Sequence, residues 1–237
     1  MSEQFSRSVA LMGGEGFDRL QQARVAVFGV GGVGGYVCEA LVRSGVGALD
    51  LFDRDDVSLS NLNRQIIALH STVGMDKAEA MAARLRDIAP DCRITAHRMF
   101  YLPENADEVD LTQYDYVVDA VDTVAAKVEL AVRCDRLGVP LIAAMGAGNK
   151  LDPSRLRIAD IYDTSVCARA RAMRSVCRKQ GVRRLTVAYS LEEPRRPVQP
   201  LGDDRERRKD TPASMVFVPA AMGLLIASHV TRCIANV

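Results

Sequence analysis

The chain has 237 residues, 48% of them hydrophobic and 26% charged, with a formal net charge of +1. That balance suits a soluble globular protein of one domain, with or without an appendage, and a sizeable core. The longest apolar stretch, Met215 to Ser228, is short for a membrane span and contains Pro219 and Gly223, and no apolar leader with a cleavage site opens the chain, so no integral span is expected.

In chain order, the first twenty-odd residues read as peripheral helix, and a strand from Arg24 to Phe28 then runs into Gly29-Val-Gly-Gly-Val-Gly34. A helical pattern ending at Gly45 and a strand from Ala48 to Asp53 complete a strand, glycine turn, helix, strand unit. The alternation continues with a helix from Met75 to about Ile88, a strand from Cys92 to His97, and a short helix near Glu104 to Asp110. A strand from Tyr114 to Ala120, a helix from Val124 to Leu137 and a strand from Val139 to Ala144 follow. This is the pattern of an α/β, doubly wound, mostly parallel sheet. Past Lys150 the pattern changes to a strand, Leu156 to Ile161, an Arg-rich helix, Val166 to Gln180, and a strand, Arg184 to Ser190. Residues 191–213 hold four prolines and a charge run, and a mobile loop is expected there, followed by a terminal strand and helix. The organisation is a single domain over 1–237, with a core over 24–150 and a basic extension over 151–237.

Six cysteines (Cys38, Cys92, Cys134, Cys167, Cys177 and Cys233) form no Cys-x-x-Cys pair, which argues against structural zinc or a disulfide framework and suits a reducing cytoplasm. Cys167 and Cys177 read as ordinary half-buried cysteines rather than reactive thiols. The small net charge hides an asymmetry. Residues 150–210 carry 16 Lys and Arg against 9 Asp and Glu, whereas the rest carries 15 against 21. A basic third on a near-neutral chain fits either a polyanion partner or a solvated helix and loop surface.

Gly29, Gly31 and Gly34 fit the G-x-G-x-x-G turn, which allows close backbone approach to phosphate at a helix N-terminus, with Gly32 inside it. Asp53, nineteen residues beyond Gly34, ends the second strand, where a carboxylate takes ribose hydroxyls. By themselves these features suggest NAD. The stretch Ser60-Asn-Leu-Asn-Arg-Gln65 shifts the balance toward ATP. Arg64 can fork onto phosphate oxygens, Asn61 and Gln65 can donate hydrogen bonds, and Lys77 adds a point charge, a set suited to displacement at an α-phosphate. Taken singly, Arg64 reads as a surface ion pair, Asn61 as a turn cap and Lys77 as a solvated helix residue; together they do not. Asp122, after the fourth strand, is placed to hold Mg²⁺ against phosphates or to cap the next helix, and Asp119 reads as structural.

These motifs, with Asp53-Arg-Asp55, Gly74-Met-Asp-Lys77 and Asp119-Ala-Val-Asp122, resemble the ubiquitin-activating-enzyme-like adenylyltransferases of the ThiF/MoeB/HesA group over about residues 5 to 150. The resemblance implies ATP and Mg²⁺, with Asp53 and Asp55 at the nucleotide, Asn61, Arg64, Gln65 and Lys77 toward the phosphates and Asp122 on Mg²⁺. It also implies a homodimer in which an N-terminal arginine, matched here by Arg7, reaches the partner's ATP. The zinc-binding cysteine pairs usual in activators of sulfur-carrier proteins are absent. Gly146-Ala-Gly-Asn-Lys-Leu-Asp-Pro153, the Arg-rich segment Cys167 to Arg184 and Tyr189-Ser-Leu-Glu-Glu-Pro194 instead resemble the tRNA threonylcarbamoyladenosine dehydratases, a likeness spanning nearly the whole chain.

That likeness implies adenylylation of the threonylcarbamoyl carboxylate on adenosine 37 of tRNA, then ring closure with loss of water. Arg169, Arg171, Arg174, Arg178, Arg183 and Arg184 become candidates for tRNA phosphate contacts, and a sulfur-relay protein is a possible partner. A sulfur-carrier activator is the alternative, ahead of a non-catalytic nucleotide sensor and a nicotinamide dehydrogenase.

Overall fold

The computed structural model describes residues 3–199 and 212–237. Two short helices, α1 (Ser6–Met12) and α2 (Gly14–Gln22), precede strand β1 (Arg24–Phe28). Then come α3 (Gly34–Ser44), β2 (Ala48–Asp53), α4 (Lys77–Ile88), β3 (Arg93–Arg98), β4 (Tyr116–Asp119), α5 (Val124–Leu137) and β5 (Leu141–Ala144). The chain finishes with β6 (Leu156–Asp160), α6 (Ala168–Lys179), β7 (Thr186–Ser190) and α7 (Phe217–Ala235).

All seven strands join one sheet in the order β3-β2-β1-β4-β5-β7-β6, parallel except where edge strand β6 runs against β7. The basic extension thus adds two strands to the core sheet. Alternation along each strand explains the two layers. Val25, Val27, Leu49, Leu51, Val118 and Ile142 face α3, α4 and α7, while Ala26, Phe28, Phe52, Val117, Ala143 and Val187 face α5 and α6. Because both faces are covered, the inner strands read as almost unbroken apolar runs.

Three expectations need correction. The short helix near 104–110 is two 3₁₀ turns, Ala106–Glu108 and Leu111–Gln113. Among the described residues no strand precedes the terminal helix: Phe217 and Val218 already belong to α7, with Pro219 in its first turn, where the missing N–H costs nothing. At 19 residues, α7 is also longer than the apolar stretch considered above, and by length and composition alone it passes for a membrane span. In this fold it packs along α3, so closely that a Cβ on Gly223 would lie 2.5 Å from the Val33 carbonyl. Much of the segment expected to be a mobile loop, residues 200–211, lies outside the described residues.

The order of the strands positions the site. From β1 the chain moves outward to β2 and β3, then returns to place β4 on the other side of β1. A crevice opens at such a reversal, beyond the carboxyl ends of the strands. Gly29 and Ala120 leave the two strands there, and a Cβ on Gly29, which has φ +87°, would stand 2.7 Å from the Ala120 carbonyl. Gly34 is as tightly held, since a Cβ there would be 1.8 Å from the Gly29 carbonyl.

Candidate active site

The crevice is a cleft of about 320 Å³ lined by the glycine turn, Asp53, Asp55, Arg64, Gln65, Lys77, Asp122 and the segment at Ala147 and Gly148. A larger hollow, about 770 Å³, lies at the amino ends of the strands between Arg19, Asp115, Arg184 and His229. The smaller one sits where backbone N–H groups converge. Neither Gly31, Gly32 nor Val33 donates its N–H to any acceptor among the described residues, and α3 starts directly behind them. These orphan donors and the helix dipole make an anion cradle.

On one side of the cradle lies a nucleoside-sized apolar floor. The rings of Phe28 and Phe52 stack at 4.4 Å, Tyr101 closes edge-on at 4.9 Å, and Arg54 covers Phe100 at 3.7 Å. Asp53 stands at its rim, accepting the N–H groups of Val30 at 2.7 Å and Asp55 at 3.0 Å. Burial pushes the Asp53 carboxyl above its ordinary range, against these N–H donors and the nearby Lys77 ammonium. Each oxygen keeps a lone pair for a hydroxyl donor.

The cationic side chains approach from the turn after β2 and from α4. Lys77 opens α4 with its ammonium 2.9 Å from Asp55, an ion pair in which the lysine is buried and the aspartate exposed. Arg64 donates to the Ser60 carbonyl and the Asn63 amide oxygen, both at 3.0 Å, and forms no ion pair among the described residues. Gln65 is buried with Oε1 lacking a partner. Asp122 is exposed and does not cap α5, whose N-cap is Thr123; its carboxylate meets only the Thr123 hydroxyl, at 3.3 Å. Cation, neutral donor and free carboxylate therefore surround one anion cradle, an arrangement fitted to a nucleoside triphosphate.

Comparison with known families matches residues 5–237 to the ThiF family. The chain belongs to the ThiF family. The Bacillus subtilis tRNA threonylcarbamoyladenosine dehydratase is 43% identical over 238 residues, covering 97% of this chain and 94% of that relative. Among solved structures, the E. coli tRNA N6-threonylcarbamoyladenosine dehydratase in complex with ATP matches with a TM-score of 0.89 at 31% identity, over 99% of this chain and 94% of that one. The same enzyme with AMP gives a TM-score of 0.89 at 32% identity, with the same coverage.

Most of the candidate nucleotide-site residues line the cleft, whereas Asn61, Arg7 and the six arginines of the basic third do not. Asn61 is buried and does not line the cleft; its Oδ1 accepts the Ser58 N–H at 3.1 Å, which commits the amide oxygen to the turn and leaves the Nδ2 donor without a partner among the described residues. Arg7 lies exposed on α1 and does not line the cleft of its own chain. The six arginines of the basic third do not share one surface. Arg171 and Arg178 face outward, and Arg178 stacks over Tyr162 at 5.3 Å. Arg174 turns in to the Thr164 carbonyl at 2.8 Å and hydroxyl at 2.7 Å. Arg183 lies 3.4 Å from Asp135, and with Arg184 it lines the hollow at the far end of the sheet.

Two contacts beside the cleft escaped the sequence reading. Lys127 and Asp119 form a fully buried ion pair at 2.9 Å directly beneath the loop that bears Asp122. Burial pushes the Asp119 carboxyl up and the Lys127 ammonium down, and each partner's charge opposes the shift of the other. Arg169 bonds to the Asp122 carbonyl rather than pointing to solvent. The lysine eight residues after Asp119, on the inward side of a helix, was the available signal for the first; nothing in the sequence marked the second. Cys177 is buried and its thiol is pushed up to about 11 by desolvation, so it is no thiolate at neutral pH. The motifs 146–153 and 189–194 also meet, through the Glu192 carboxylate accepting the N–H groups of Leu151 at 3.0 Å and Asp152 at 2.8 Å.

Proposed function

We propose that this chain is an ATP-dependent tRNA threonylcarbamoyladenosine dehydratase, which adenylylates the carboxylate of N6-threonylcarbamoyladenosine at tRNA position 37 and cyclises it. The observation that carries the reading is 43% identity to a dehydratase of that name over 97% of this chain. The adenine lies against Phe28 and Phe52, Asp53 takes the ribose hydroxyls, and the glycine-turn N–H groups with Arg64 and Lys77 hold the phosphates. Asp122 is the carboxylate that would hold Mg²⁺, which would supply charge neutralisation to the phosphates when bound.

A carboxylate oxygen attacks the α-phosphorus, the bond to the bridging oxygen breaks, and pyrophosphate leaves with the electron pair. Carboxylate has become acyl adenylate, with AMP as leaving group. An internal nucleophile of the substrate then attacks the acyl carbon and gives up its proton. AMP departs with the original carboxylate oxygen, so the nucleoside is lighter by one water. No enzyme nucleophile is needed, consistent with the buried cysteine at position 177.

The proposed working form is a cytoplasmic homodimer in which Arg7 crosses to the partner's nucleotide, with a sulfur-relay protein as a further partner. Arg171 and Arg178 hold tRNA phosphates. Alanine at both positions is expected to weaken tRNA binding and to flatten the dependence of log affinity on log salt by about one unit per arginine removed. Arg174→Ala, which breaks an internal contact, is expected to lower the melting temperature instead. Filter binding across a salt series checks the first and calorimetry the second.

Nucleoside mass spectrometry on tRNA bearing the uncyclised modification, after incubation with the protein and Mg-ATP, tests the function. Loss of one water's mass with AMP release is the expected result. Unchanged tRNA, with AMP formed only when a sulfur-carrier protein is added, overturns it.

A further inference from the structure

Arg169 is the first arginine of α6, yet it does not join the outward-facing set on that helix. Its Nη1 donates to the backbone carbonyl of Asp122. A Cβ on Gly146 would lie 3.8 Å from the Arg169 Cβ and 3.9 Å from its Nε. The guanidinium therefore lies across the carboxyl ends of β4 and β5, behind the backbone of Asp122 and beside Gly146; Asp122, Ala147 and Gly148 line the cleft, and Arg169 borders that lining without being part of it. Among the described residues no carboxylate lies within ion-pair distance of it. One N–H is anchored and the rest of the fork is available.

The strand order assigns a direction to the cleft. The aromatic floor and Asp53 lie at the ends of β1 and β2, and the anion cradle lies between β1 and β4. A second substrate that attacks an α-phosphate held there must therefore come over the ends of β4, β5 and β7, because the nucleoside covers the other side. That approach passes Arg169. An incoming carboxylate is repelled by the phosphates it must attack; Lys77 stands on the far side at the start of α4, paired with Asp55, and Arg64 lies over Gly32 of the glycine turn. A planar guanidinium fork matches a carboxylate in charge and geometry.

We propose that Arg169 binds the carboxylate of the threonylcarbamoyl group and holds it against the α-phosphate, so that it distinguishes modified from unmodified tRNA. The assignment rests on the dehydratase reading above. It differs from the phosphate contact expected from the sequence: Arg171 and Arg178 hold the RNA on the outside of α6, while Arg169, on the same helix, reads the side chain of one base.

Arg169→Gln tests it, since the glutamine amide can still donate to the Asp122 carbonyl but carries no charge and no fork. The variant is expected to lose 30- to 100-fold, roughly, in kcat/KM on modified tRNA. ATP affinity and affinity for unmodified tRNA should stay at the wild-type level. Binding of modified and unmodified tRNA, compared by filter retention without ATP, should show a preference in the wild type that Arg169→Gln abolishes. Equal weakening on both RNAs would make the residue a general phosphate contact and overturn the proposal. So would full activity of Arg169→Gln beside an inactive Arg169→Ala, which is the signature of a residue that only props up the Asp122 loop. If the wild type itself leaves the modified nucleoside unchanged, the dehydratase reading fails and takes this assignment with it; an active wild type with an equally active Arg169→Gln refutes the assignment alone.

Discussion

Arg64→Ala and Asp122→Ala should each cut AMP formation by about 100- to 1000-fold while leaving the thermal unfolding curve in place. The separation of activity from stability follows from where the two side chains sit. Asp122 is exposed and touches only the Thr123 hydroxyl, and Arg64 bonds to its own turn, so neither supports the core. Each faces the anion cradle, where charge builds on the departing pyrophosphate, and a group that acts on that charge is missed most in the transition state. Substrate-dependent exchange of labelled pyrophosphate into ATP measures the first step directly. Near-normal exchange by either variant would remove that residue from the site.

Lys127→Met is expected to have the largest effect on stability. Its ammonium is wholly buried against Asp119, and removing one member of such a pair leaves an uncompensated buried charge, at a cost of about 3–5 kcal/mol. In a chain of this size that corresponds to a fall of roughly 10 °C in melting temperature. The double variant Lys127→Met with Asp119→Leu should recover much of the loss, because an apolar pair of similar volume avoids burying charge. It should not recover turnover. Asp119 also accepts the Val121 N–H at 3.2 Å, and that bond sets the path of the backbone to Asp122. Calorimetry and AMP release on the same samples separate the two roles, and an unchanged melting temperature for Lys127→Met would refute the first.

The framework was legible because the signals for it are local. The strand from Arg24 to Phe28 and the helix from Val124 to Leu137 were read at their observed bounds, since alternation, glycine and composition act within a few residues. The terminal helix was misread at its start because Val216, Phe217 and Val218 favour extended structure in isolation. Packing on α3 overrode that preference, and Pro219 fell in the one part of a helix that accepts it. In the site, residue types were legible but their partners were not. Asn61 and Arg64 lie three positions apart and both bond within their own turn, and only the turn geometry decides that Arg64 lines the cleft and Asn61 does not. Lys127, and the Arg169 contact with the Asp122 backbone, were hidden for a related reason: a charged residue on a helix reads as solvated until the elements opposite it are known.

The two outer strands of the sheet have a consequence for assembly. β3 ends the sheet on one side with Arg93, Thr95 and Arg98 exposed, and β6, the single strand that runs backwards, ends it on the other with Arg157 exposed. Bulky cations along an open strand oppose the addition of another strand. Two copies of this chain would therefore meet through helices and connecting turns, and the sheet would stay seven strands wide however many copies associate.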